Sequence, residues 1–124
     1  MPNHWHFVVW PRQPAQLTQF LQRVTAMHGA RIRKHSNTVG LGHVYQGRFR
    51  AFPIQQDARY FRAIRYVEAN PVRARLVDRA EGWRWCSLRE RMTEARLIVD
   101  GPLALPPLEA WIGLVNSPTL PPGM

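Results

Sequence analysis

HWHFVVW, residues 4–10, is the stretch on which the fold turns. It is built of aromatic and β-branched residues and is closed by Pro11, so it reads as a β-strand. Successive side chains of an extended chain point to opposite faces. His4 and His6 therefore share one face, and Trp5, Phe7 and Val9 share the other. Helical periodicity follows on the C-terminal side, so a strand here predicts an α+β fold.

Moving outward, Leu17, Phe20, Leu21, Val24 and Met27 recur at three- and four-residue spacing. They predict an amphipathic helix over residues 13–34, opened by Pro14 and ending in Arg31, Arg33 and Lys34. SNTVGLG (36–42) is turn-rich, and HVYQGRFRAFPI (43–54) reads as a loop and a short strand ending at Ile54. Asp57 is placed to cap a second helix, ARYFRAIRYVEAN (58–70), which Pro71 is expected to stop or kink. VRARLV (72–77) predicts a further helical turn, WRWCS (83–87) buries aromatic mass, and LRERMTEARL (88–97) is a short polar helix. From Pro102 the chain holds six of its eleven prolines around one amphipathic segment, LEAWIGLV (108–115). Residues 1–100 thus read as the functional domain and residues 101–124 as a proline-rich arm, docked or disordered.

The 124 residues are enough for one modest core. Seventeen basic residues against eight acidic ones give a net charge of +9, and sixteen of the seventeen are arginine. Arginine forks match phosphate oxygens and stack on bases, so a nucleic-acid partner is favoured. A codon bias explains arginine over lysine but not the excess of positive charge. No run is long enough to span a membrane, no secretory leader is visible, and the single Cys86 excludes an internal disulfide. A cytoplasmic, nucleoid-associated location follows from these features together.

Three groups of residues carry chemistry. His4 and His6, side by side on a strand, can hold one divalent metal and leave other positions open. The same pair also occurs on ordinary strand edges. On the second helix Tyr66 and Asn70 are four apart and share a face, with Arg59, Arg62 and Arg73 on or beside it. Tyr60, Phe61, Ile64 and Val67 form the apolar stripe. A phenol attacks phosphorus when a metal polarises the phosphate and cations stabilise the added charge. The structural alternative is a half-buried Tyr66 and an Asn70 that merely ends the helix.

MPNHWHFVVWP (1–11), GHVYQGRF (42–49), IRYVEANPVRARLV (64–77) and WRWCS (83–87), in this order, resemble the signature series of REP-associated tyrosine transposases. These belong to the IS200-like transposases of the HUH endonuclease superfamily. LEAWIGLVNSP (108–118) resembles the downstream segment. The resemblance implies a ferredoxin-like HUH nuclease core, with His4, His6 and Asn70 as ligands to Mg²⁺ or Mn²⁺ and Tyr66 as nucleophile. It implies an enzyme of DNA transposition that cuts single-stranded DNA at hairpin-forming repeats through a 5′-phosphotyrosine link. Tyr45 and Tyr60 are the rival tyrosines and are expected to be structural. Arg48 either contacts DNA or braces its loop, and Arg59, Arg62 and Arg73 are expected to grip the DNA backbone.

The family pattern places a strand, a helix and another strand before MPNH, so the expected core here is partial. A His-x-His strand without that neighbour exposes Trp5, Phe7 and Val9 on an unpaired edge, which invites aggregation or a homodimer. Cys86 stands where the resemblance leads to serine and reads as a tolerated small residue. His28, His35 and His43 have no ligand-like spacing. Two other readings compete: a non-catalytic nucleic-acid-binding remnant, and a structural zinc protein, which the lack of a thiol pair disfavours.

Overall fold

The structure is a computed structural model that describes residues 3–40, 42–93 and 97–118. Its elements are helix α1 (Pro14–His35), helix α2 (Ala58–Arg73), a 3-10 turn (Ala80–Gly82), helix α3 (Ser87–Arg91) and helix α4 (Leu108–Asn116). No strand is present among the described residues. The expected α+β, ferredoxin-like core is therefore corrected to an all-helical architecture. A strand exists only through a ladder to a neighbour. Residues 4–10 and the stretch ending at Ile54 have strand-forming composition, but they lie without a ladder in irregular backbone.

The chain divides into two compact units, Val9–Phe52 and a discontinuous unit made of Met1–Val8 with Pro53–Met124. In the Val9–Phe52 unit, α1 starts where Pro14 pre-sets the helical φ angle. The Gln16 Oε1 accepts from the backbone N–H groups of Arg12 (2.9 Å) and Gln13 (3.1 Å), which satisfies two donors at the helix start. At the other end Asn37 takes φ 52°. Its turn lets Ser36 N–H reach Ile32 O and Thr38 N–H reach Arg33 O, closing the helix. Gly29 is buried, and a Cβ built there would lie 3.9 Å from Val44. The Tyr45 hydroxyl bonds His28 Nδ1, so residues 44–45 fold back on the helix.

The discontinuous unit is built on α2. Asp57 caps it, its carboxylate accepting from Arg59 N–H at 2.8 Å. The helix runs through Pro71 to Arg73 instead of stopping before the proline. A proline so near the C-terminus forfeits one backbone bond in the last turn, and its buried ring adds to the packing. The further helical turn expected in 72–77 is corrected to a cap: Arg75 adopts φ 55°, with Arg75 N–H on Val72 O and Leu76 N–H on Pro71 O.

Tyr60 and Ile64 of α2 pack with Ala80, Leu88, Cys86, Trp111 and Val115 in one core. Trp111 and Val115 come from α4, so the segment expected as a proline-rich arm supplies two of the most deeply buried side chains. Arg65 locks α4 in place. Its guanidinium donates to Leu114 O (2.6 Å) and to Ser117 O, at the end of α4 where orphan carbonyls gather. Asn116 answers from α4, donating to Glu81 Oε2 (2.8 Å) and accepting from Ala80 N–H (2.9 Å).

Glu68 is fully buried within this core. Its carboxylate accepts from Trp111 Nε1 (2.7 Å), Ser87 Oγ (2.5 Å) and Arg91 Nε (3.3 Å). One buried carboxylate thus ties α2 to both α3 and α4, and three donors offset the cost of taking it out of water.

Candidate functional site

An α-helix turns about 100° per residue. Arg59, Arg62, Tyr66, Asn70 and Arg73 of α2 consequently fall within an arc of roughly 80°. Tyr60, Ile64, Glu68 and Pro71 are buried on the far side, and the small Ala69 is buried at the edge of the arc, beside Arg62 in helical phase. Burial of one face fixes the helix's rotation and turns the other outward. Tyr66 is 47% exposed, Arg59, Arg62 and Arg73 are exposed, and Asn70 is half-buried one turn beyond the tyrosine.

The extended N-terminal segment meets this face. The His6 ring stands edge-on to Tyr66, with ring centroids 5.6 Å apart, and His4 stands edge-on to His6 at 5.0 Å. Trp5 and Phe7 pair with each other at 5.7 Å. The two-residue alternation read from the sequence is thus present without a sheet. The Arg73 guanidinium lies 5.1 Å from the Tyr66 ring centre, within cation–π range. His6, Tyr66 and Arg73 form one contiguous surface cluster, extended by His4.

The histidines suit a divalent metal. His4 Nδ1 lies 2.8 Å from Asn3 Oδ1, a bond that holds the proton on Nδ1 and leaves Nε2 as the free donor atom. Partial burial, aided by the charge of His4, lowers the pKa of His6 below 6.5, so its ring is neutral at neutral pH, as a ligand must be. Among the described residues no three His, Cys, Asp or Glu side chains gather around one point. The two imidazoles are the metal-binding side chains that this face brings together.

Of the other expected residues, Arg59 is on this face but engaged, and Arg48, Tyr45 and Tyr60 lie off it. The Arg59 guanidinium donates to Gln55 Oε1, so it already has a partner on its own helix side. Arg48 is exposed and lies in the Val9–Phe52 unit. Tyr60 is buried and Tyr45 half-buried, and burial pushes both phenols above 10.0. Both surroundings favour the protonated phenol and disfavour an attacking phenolate. The buried Cys86 thiol is raised in the same way, which makes it an inert packing group.

Sequence reasoning overlooked Glu68, although a signal was there. It falls on the apolar stripe, four residues after Ile64, where a lone carboxylate must find donors. WRWCS also divides differently from the expected buried aromatic cluster: Trp83 is half-buried against the core while Trp85 is 72% exposed. No helix among the described residues is long and apolar enough to cross a membrane. Compared with family models, curated proteins and solved structures, the chain matches none.

Proposed function

We propose that this chain is a transposase-type enzyme that cleaves and rejoins single-stranded DNA through Tyr66, acting in DNA transposition at the nucleoid. The observation that carries the reading is the His4–His6–Tyr66–Arg73 cluster on the exposed face of α2. In the proposed step the Tyr66 oxygen attacks a backbone phosphorus in line with the 3′-oxygen. The new O–P bond forms as the P–O3′ bond breaks; the phenolic proton passes to solvent and the departing 3′-oxygen takes one up. The products are a 5′-phosphotyrosine and a free 3′-hydroxyl, and attack by that hydroxyl reverses the step and rejoins the strand.

His4, His6 and Asn70 would hold Mg²⁺ or Mn²⁺, which when bound supplies Lewis-acid polarisation of the phosphate. Arg73 stands beside the phenol, where it meets the negative charge that develops on the phosphoryl oxygens. Arg62 and Arg59 continue the basic stripe toward the start of the helix. From Arg59 to Arg73 it spans about 21 Å, room for several nucleotides of an extended strand.

Incubation with labelled hairpin-bearing single-stranded DNA and Mn²⁺ tests this. A covalent protein–DNA adduct is expected, resistant to denaturing gels, lost on chelation of the metal and lost in Tyr66→Phe. No adduct from the unaltered chain, or an adduct that survives in Tyr66→Phe, sinks the proposal. DNA binding without any adduct would leave the non-catalytic nucleic-acid-binding module as the function.

A further inference from the structure

Arg84 and Trp85 occupy the turn between the 3-10 turn and α3. The residues on either side face inward: Trp83 packs against the core and Cys86 is buried within it. Trp85 goes the other way and is 72% exposed. The Arg84 guanidinium carbon stands 4.2 Å from the centre of its indole ring. One face of a large π-surface is thus backed by a cation, while the rest of the ring stands in solvent.

A tryptophan left in water forgoes the burial that such side chains ordinarily gain. Trp83, Cys86 and Leu88 supply this stretch's contacts to the core, and Trp85 takes no part in it, so packing does not account for Trp85. Arg84 stands beside it, and Arg89, four residues on in α3, is exposed as well. Aromatic faces with adjoining arginines are what unpaired bases stack on, the cations meeting the backbone phosphates. The geometry points to Trp85 as a stacking platform for one base of single-stranded DNA, with Arg84 covering the opposite ring face and contributing positive charge. This deepens the single-strand reading of the Tyr66 site but stands on different residues. A base in a duplex is already stacked on both faces, so the platform takes single strands only.

Binding is measured by fluorescence anisotropy in EDTA, with the full chain carrying Tyr66→Phe so that no cleavage intervenes. The probes are a labelled thymidine oligonucleotide, an abasic strand of equal length and a duplex. Trp85→Ala is expected to weaken thymidine-strand binding about tenfold and to leave the abasic strand and the duplex unchanged. Trp85→Phe, which keeps a π-face, is expected to retain most of the affinity, and Trp85→Leu, which keeps only apolar bulk, to behave like alanine. Unchanged thymidine-strand binding in the alanine variant overturns the platform. So does an equal loss on the abasic strand, or a leucine variant that binds like tryptophan. Because this readout needs neither metal nor Tyr66, it is independent of the adduct assay, and either proposal can fail alone.

Discussion

Arg75 and Asn37 hold the same left-handed position after α2 and α1, with φ of 55° and 52°. Asparagine tolerates that conformation, whereas a longer side chain is strained there by its Cβ. Arg75→Gly is expected to raise stability by about 1 kcal/mol, read as a higher urea midpoint with an unchanged m-value. A different single-residue effect acts through His6, whose pKa lies below the unfolded value of 6.5. Below 6.5 the unfolded chain binds a proton that the folded one resists, so this contribution to stability is present above 6.5 and is lost as pH falls through the folded pKa. Protons compete with a metal for the same nitrogen. A ¹H–¹⁵N titration should place the His6 midpoint below 6.5, and adduct formation should decline as pH drops through that midpoint.

Helices α1 and α2 were legible because their signals are local. Pro14, Asp57 and the three- and four-residue apolar spacing act within a turn or two of themselves. HWHFVVW was misleading for the opposite reason: its composition suits a strand, but pairing is a property of two segments, and no ladder forms here. The candidate site was legible in part. Tyr66, Asn70 and the arginines follow from helical phase, and the His4–His6 juxtaposition follows from alternation that needs no sheet. The contact of His6 with Tyr66 joins residues sixty apart, and no spacing rule reaches that far. Helix α4 was underestimated because prolines dominate its surroundings, while Trp111 inside it is only 1% exposed. Trp111→Ala is expected to cost about 3–5 kcal/mol, enough to unfold a core this small, with loss of the cooperative thermal transition as the measurement.

The charge of the molecule is unevenly shared. All eight acidic residues lie at or after Asp57, whereas residues 9–52 carry Arg12, Arg23, Arg31, Arg33, Lys34, Arg48 and Arg50 with no acid among them. The unit Val9–Phe52 therefore holds +7 of the net +9. Arg33 is partly committed to structure through its bond to Gly42 O at 3.0 Å, but Arg31 and Lys34 are exposed. Replacing those two with glutamine should weaken single-stranded DNA of any sequence alike. It should also flatten the slope of log Kobs against log salt by about 1.4, at roughly 0.7 per phosphate contact, measured by titration at several salt concentrations. The discontinuity of the other unit bears on how the protein is made. His4 and His6 leave the ribosome before Tyr66 and Asn70, whereas Trp111, which closes their scaffold, is added roughly 5 to 20 s after His6 at ordinary elongation rates. Through that interval the Glu68 carboxylate lacks the indole N–H that Trp111 donates to it in the finished core. A message cut short before Trp111 encodes every residue proposed for the chemistry but not the side chain that completes the core on which their helix packs.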